Sequence, residues 1–168
     1  ETEFDLGSFE VTIKNVKEED WANNWKKYFK PFPVGDKIII KPSWEECEAE
    51  EGKKILNIDP GHIFGTGSHE TTQGCIEFIE KYVKEGDKVA DIGCGSGILA
   101  IAAILMGADF ASAVDIDPNA VEIVKQNADL NSISGDKYEV FAGDILNDDN
   151  LKKQFGGKKY DAAFANIV

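Results

Sequence analysis

Val89-Ala90-Asp91-Ile92-Gly93-Cys94-Gly95-Ser96-Gly97 decides how the rest of the chain is read. A short apolar run leads into a carboxylate and three alternating glycines, and the apolar stretch Ile98–Met106 follows at once. This is the pattern of a strand that turns tightly into a helix. Such a loop sits at the carboxyl edge of a parallel sheet, where ligands bind. Gly93 and Gly95 let backbone approach a ligand that a Cβ would push away, and Gly97 eases the start of the helix.

Outward from this motif, strands and helices alternate. Upstream, the spacing predicts a helix from about Ser68 to Lys84, with Ile76, Ile79 and Val83 on one face and Gly86 just past its end, then the strand Lys88–Ile92. Downstream come a strand over Ala111–Asp115 and a helix over Pro118–Leu130 with proline in its first turn. A strand over Tyr138–Ala142, a short helix over Leu151–Phe155 and a strand over Tyr160–Asn166 complete the series. This alternation implies an α/β fold, a parallel sheet with helices on both faces.

Before Asp59 the texture differs. Phe9–Val16 reads as a strand and Glu18 to Phe29 as a helix carrying Trp21, Trp25, Tyr28 and Phe29, which Pro31 and Pro33 stop. Lys37–Lys41 is a strand, Pro42–Lys54 an acidic loop and Ile55–Ile58 a second short strand. The organisation expected is therefore a small α+β extension over residues 1–58 and a ligand-binding domain over 59–168. The aromatic stripe reads as a packing face.

A dinucleotide loop needs glycine at the first, third and sixth positions of G-x-G-x-x-G, and the sixth position after Gly93 is Ile98. The pattern present is D-x-G-x-G-x-G, which fits an adenosylmethionine site, whose ligand has no pyrophosphate to seat on the helix. Twenty-two residues after Gly93, a strand ends in Asp115. A carboxylate there can accept hydrogen bonds from both ribose hydroxyls and repels a 2′-phosphate. Asp117 is assigned as the cap of the helix that follows. After the third strand, Asp144 is placed to accept from an adenine amino group, although Gly143-Asp144 is also a common turn.

Composition narrows the function classes. The net charge of −13 opposes generic nucleic-acid binding and suits a basic partner, or simply solubility. All 18 basic residues are lysine, so no guanidinium clamp is available. No apolar run approaches a membrane span, and the 3 cysteines lack metal-ligand spacing, consistent with a reduced, cytoplasmic compartment. Cys94 reads as a packing residue and His69 as a structural one, although a histidine beside a glycine loop also invites a general-base role.

Several further segments carry a resemblance. Trp21-Ala22-Asn23-Asn24-Trp25-Lys26-Lys27-Tyr28-Phe29-Lys30-Pro31, Pro42-Ser43-Trp44, Asp59-Pro60-Gly61 and Phe64-Gly65-Thr66-Gly67-Ser68-His69-Glu70-Thr71-Thr72 together resemble the PrmA family, a group of class I, Rossmann-like methyltransferases that modify amino groups of large-subunit ribosomal protein eleven. The resemblance runs from about Phe9 to the last residue. It implies S-adenosyl-L-methionine as cofactor, a basic ribosomal protein as partner, and no direct contact with nucleic acid or membrane. Thr72, Gly93, Asp115 and Asn166 are then cofactor contacts, with Asp91, Gly95, Gly97, Phe64, Gly65, Thr66 and Asp144 beside them and no metal. Asn166-Ile167-Val168 resembles the family's Asn-Ile-Leu/Val segment, which makes Asn166 the candidate for orienting the amine. Family members carry a recognition domain before these segments and further strands after them, so the chain reads as truncated at both ends, with the fourth strand left as an edge. The rival expectations are a class I methyltransferase acting on a small molecule or RNA, a nicotinamide oxidoreductase (disfavoured by Ile98), and a cofactor-binding fragment without activity.

Overall fold

A computed structural model describes residues 28–59 and 66–167. The strand expected over Phe9–Val16, most of the helix expected over Glu18–Phe29, and Phe64 and Gly65 lie outside the described residues. Seven strands and four helices follow one another among those described: β1 (Phe32–Val34), β2 (Ile38–Pro42), β3 (Lys54–Ile58), α1 (Glu70–Tyr82), β4 (Lys88–Ile92), α2 (Ile98–Leu105), β5 (Phe110–Asp115), α3 (Asn119–Leu130), β6 (Tyr138–Ala142), α4 (Asp149–Gly156) and β7 (Ala162–Ala165).

The larger sheet has the order β6-β5-β4-β7 and every pairing in it is parallel. Strand order reverses beside β4, which puts a crevice at the carboxyl ends of β4 and β7, the place where open parallel sheets bind ligands. Alternate residues of each strand supply the two faces. Val89 and Ala111 pack with α1, α2 and α3 in one core, whereas Ala90 and Val114 pack on the opposite face with Leu151 and Phe155 of α4. Helices therefore cover both faces, as the alternation predicted.

The smaller sheet, β1-β2-β3, pairs β1 antiparallel to β2 and β2 parallel to β3. Its Ile38, Ile40, Leu56 and Ile58 are fully buried in the same core as Ile98 and Ile101 of α2. This explains the composition of α2: it packs against β4 and β5 on one side and β3 on the other, so it has no polar face to show. Each such side chain contributes about 1.5–3 kcal/mol on burial. Residues 28–58 are thus joined to the larger sheet by a continuous core. Polar bonds reinforce the join, with Glu80 of α1 accepting the N–H groups of Asp36 and Lys37 at 2.9 Å each.

Three elements depart from the expected pattern. β1 contains Pro33, which reads as a helix stop; an edge strand tolerates the missing N–H, and Pro33 lies opposite Ile39 there. α1 begins at Glu70 because His69 adopts an extended backbone and caps it, its Nδ1 accepting from Thr71 N–H at 3.3 Å. β7 is shorter than Tyr160–Asn166: its ladder with β4 runs from Ala162 to Ala165, which lies opposite Ile92, the last residue of β4, and the Tyr160 hydroxyl before it donates to the Phe155 carbonyl at 2.9 Å. Asn166 consequently lies just beyond the strand end.

Gly97 shows how tightly the central turn is built. It caps α2 with φ at 77°, and a Cβ there would lie 2.8 Å from both Val124 methyl carbons. Gly97→Ala is therefore expected to lower stability by about 1–3 kcal/mol, from the left-handed backbone and the overlap together. Urea unfolding followed by circular dichroism measures this, and an unchanged midpoint would mean that the turn has slack.

Candidate functional site: the glycine loop and the strand ends

A cavity of about 650 Å³ opens at the carboxyl ends of all four strands of the larger sheet. Its wall is formed by the loop after β4 (Gly93, Cys94, Gly95), Asp115 and Ile116 after β5, Gly143 to Leu146 after β6, and Asn166 and Ile167 after β7. Thr72 of α1 and Asp91 of β4 also line it. Seven of the residues predicted for the site thus meet in one place: Thr72, Asp91, Gly93, Gly95, Asp115, Asp144 and Asn166. Two others do not line it. Gly97 faces Val124 of α3, and Thr66 pairs its hydroxyl with that of Ser68 at 2.8 Å.

The loop is held by backbone and carboxylate bonds. Gly93 and Cys94 both donate to the Val114 carbonyl, at 2.8 and 3.1 Å, and Gly97 N–H returns to the Cys94 carbonyl at 2.8 Å. Asp115 then completes the frame, its Oδ2 accepting from Gly95 N–H at 2.7 Å and its Oδ1 from Asp117 N–H at 2.9 Å. With one donor on each oxygen, a carboxylate keeps lone pairs for a ligand. Asp117, expected as the cap of α3, stands one residue too early: Pro118 takes the cap position ahead of Asn119, and Asp117 accepts from Asn119 N–H at 2.9 Å.

Asp91 has a double position. It is 1% exposed, and its Oδ2 accepts from Ala100 N–H at 3.0 Å. Ala100 lies in the first turn of α2, whose own cap is a glycine without a side chain, so Asp91 caps this helix from the neighbouring strand. Asp91 Oδ1 has no hydrogen-bond partner among the described residues. Burial pushes the carboxyl up to about 7, against the pull of the Ala100 N–H and with a further push from Asp115. Burial likewise raises the Cys94 thiol, which keeps it protonated and unreactive.

Asn166 and Thr72, far apart in sequence, are in direct contact: Asn166 Nδ2 donates to Thr72 Oγ1 at 3.0 Å. Thr72 is 2% exposed and fixed in α1, so this bond sets the amide plane and leaves Asn166 Oδ1 as the acceptor. Asp144 lines the cavity, and it also holds its own turn through Leu146 N–H at 2.9 Å and the Asn147 amide at 2.6 Å. The Asn147 bond chiefly holds its carboxyl below the usual range.

Asn127 and an apolar rim around the cavity are not marked by any motif in the sequence. Asn127 is fully buried in α3 and donates to the Ser96 carbonyl of the loop at 2.9 Å. Its signal was an asparagine on the apolar stripe of Ala120, Val124 and Ala128. Ile116, Leu146 and Ile167 are exposed apolar side chains on three strand-end loops around the cavity. Among the described residues no cluster of His, Cys, Asp or Glu is placed to hold a metal ion, and no helix is long and apolar enough to cross a membrane.

The sequence profile of the ribosomal protein L11 methyltransferase (PrmA) family matches residues 1–168. The chain belongs to this family. Among PrmA relatives, the ribosomal protein L11 methyltransferase of Clostridium botulinum is 49% identical over 164 residues, covering 98% of this chain and 50% of the relative. That of Lachnospira eligens is 46% identical over 165 residues, covering 98% of this chain and 52% of the relative. The chain thus spans about half the length of the curated relatives it matches. The crystal structure of ribosomal protein L11 methylase from Lactobacillus delbrueckii subsp. bulgaricus superposes with a TM-score of 0.69 at 33% identity, over 82% of this chain and 66% of that one.

Proposed function

We propose that the cavity binds S-adenosyl-L-methionine and that the protein transfers its methyl group to amino groups of ribosomal protein L11. The observation that carries this reading is the carboxylate pair on the cavity wall. Asp115, anchored to Gly95, offers acceptors for a vicinal diol, while the buried, unsatisfied Asp91 Oδ1 calls for a cationic or hydrogen-donating ligand group. A cofactor bearing a ribose, a sulfonium and an ammonium fits that donor and acceptor set; a pyrophosphate beside two carboxylates does not.

Bound adenosylmethionine supplies an activated methyl for in-line transfer, so the protein's work is alignment and exclusion of water. Asn166 Oδ1, held in place by Thr72, accepts a hydrogen from the substrate amine and aims its lone pair. The amine must be neutral to attack, and a lysine side chain ordinarily ionises near ~10.4, so the apolar rim of Ile116, Leu146 and Ile167 favours the neutral form by desolvation. The acidic chain, at −13, suits a basic ribosomal protein and opposes RNA as the substrate.

Methyl transfer from labelled cofactor to purified ribosomal protein L11 tests the reading. Asn166→Ala is expected to lower kcat by about 100-fold, the scale of a misplaced reacting group. Cofactor affinity should weaken far less. If Asn166→Ala turned over at the wild-type rate, Asn166 would have no part in amine alignment; if the unaltered protein left the ribosomal protein unlabelled, the substrate assignment would fall.

A further inference from the structure

The cavity wall owes its shape to a residue that does not touch the cavity. Asn127 of α3 is fully buried, and both ends of its amide are used: Nδ2 donates to the Ser96 carbonyl at 2.9 Å and Oδ1 accepts from Asp59 N–H at 2.8 Å. The peptide between Ser96 and Gly97 is therefore held at both poles, its carbonyl by Asn127 and its N–H by the Cys94 carbonyl at 2.8 Å. The turn so fixed presents Cys94 and Gly95 to the cavity and points Gly95 N–H at Asp115. The other end of the same amide grips Asp59, the residue after β3.

One turn further, at the C-cap of α3, Asn131 does related work on β3 and on the last turn of its own helix. It accepts from Asn57 N–H at 2.8 Å and donates to the carbonyls of Asn57 and Asn127 at 2.7 Å each. Asn131 reaches β3 and the Asn127 backbone carbonyl but neither the glycine loop nor the Asn127 side chain, which makes it an internal control for the Asn127 amide.

We propose that Asn127 is a positioning residue for the cofactor site, locking the glycine loop and the end of β3 to one point on α3 so that Gly95 and Asp115 are set for the ligand before it arrives. An amide suits this post because it is neutral and carries a donor and an acceptor on one rigid plane. Aspartate of the same shape offers an oxygen to the Ser96 carbonyl in place of the N–H, and that contact becomes repulsive. The consequence for affinity rests on the cavity's binding adenosylmethionine, whereas the consequence for the loop does not.

Two readouts on Asn127→Asp, Asn127→Ser and Asn131→Leu test the proposal. Asn127→Ser removes both bonds without burying a charge, in case Asn127→Asp does not fold. The first readout needs no cofactor: amide hydrogen exchange at Gly95 and Gly97 should speed up by about tenfold or more in a folded Asn127 variant, through local opening, and stay near wild type in Asn131→Leu. The second is calorimetric affinity for adenosylmethionine, expected to fall by about tenfold or more for Asn127 variants and to change by less than about twofold for Asn131→Leu, the scale at which preorganisation acts. Unchanged exchange at Gly95 and Gly97 in a folded Asn127 variant overturns the proposal. So does an equal loss of affinity in Asn131→Leu at matched stability, because the effect would then be general loosening. If the wild-type protein bound no adenosylmethionine, the proposed function would fail and the exchange data would still decide whether Asn127 holds the loop.

Discussion

Asp115→Ala is expected to weaken adenosylmethionine binding by about 100-fold or more. Two contributions add. Hydrogen bonds between a carboxylate and the ribose hydroxyls are worth about 1.5–3 kcal/mol each, and losing two of them corresponds to roughly two to four powers of ten in affinity. The substitution also frees Gly95 N–H from its 2.7 Å bond, so the loop that faces the ligand loses an anchor. Asp115→Asn separates the two effects. The amide keeps an acceptor for one of the two backbone donors but loses the charge, and we expect about a tenfold loss. Isothermal calorimetry on both variants measures this. A loss below about threefold for Asp115→Ala would mean that the ribose is bound elsewhere.

The second large effect concerns pH. Asp91 is held up to about 7 in the folded protein, chiefly by burial, against an ordinary value of 3.8. Between those values the folded state holds a proton that the unfolded state releases, so this group's contribution to stability falls as pH rises through that window and levels off above it. The slope is at most about 1.4 kcal/mol per pH unit. Asp91→Asn removes the titration, and the difference in unfolding midpoint between wild type and variant should shift in the variant's favour from pH 5 to pH 8. Binding inverts the sign. A cationic group placed against Asp91 Oδ1 favours the carboxylate, so cofactor binding below pH 7 should release a proton, and affinity should rise with pH by up to about tenfold per unit before levelling near 7. Calorimetry in two buffers of different ionisation enthalpy counts that proton. A binding constant flat from pH 5 to pH 8, with no proton released, would place the cofactor's positive charge away from Asp91.

Much of this architecture is legible in the sequence because it rests on local signals. The strands Lys88–Ile92 and Tyr138–Ala142 end where the apolar runs end, and the glycine loop announces the carboxyl edge of the sheet. The acidic residue at the end of β5 stands beside that loop because β4 and β5 are parallel neighbours in register, Ile92 opposite Val114. What the sequence does not announce depends on distant partners. Asp91 reads as the first letter of a ligand motif, yet one of its oxygens caps α2, a duty visible only once Ala100 is folded back over it. Asn166 meets Thr72 across most of the fold, and Asn127 meets Ser96 and Asp59, contacts that no periodicity encodes. β1 was hidden by Pro33, since proline marks a break and the exemption for edge strands requires knowing where the edge is.

Titration of the protein with adenosylmethionine and separately with NAD, by calorimetry under identical conditions, decides whether this cavity takes adenosylmethionine or a dinucleotide. Saturable heat with adenosylmethionine and none with NAD is the predicted result. Saturable heat with NAD, or silence with adenosylmethionine, would contradict it.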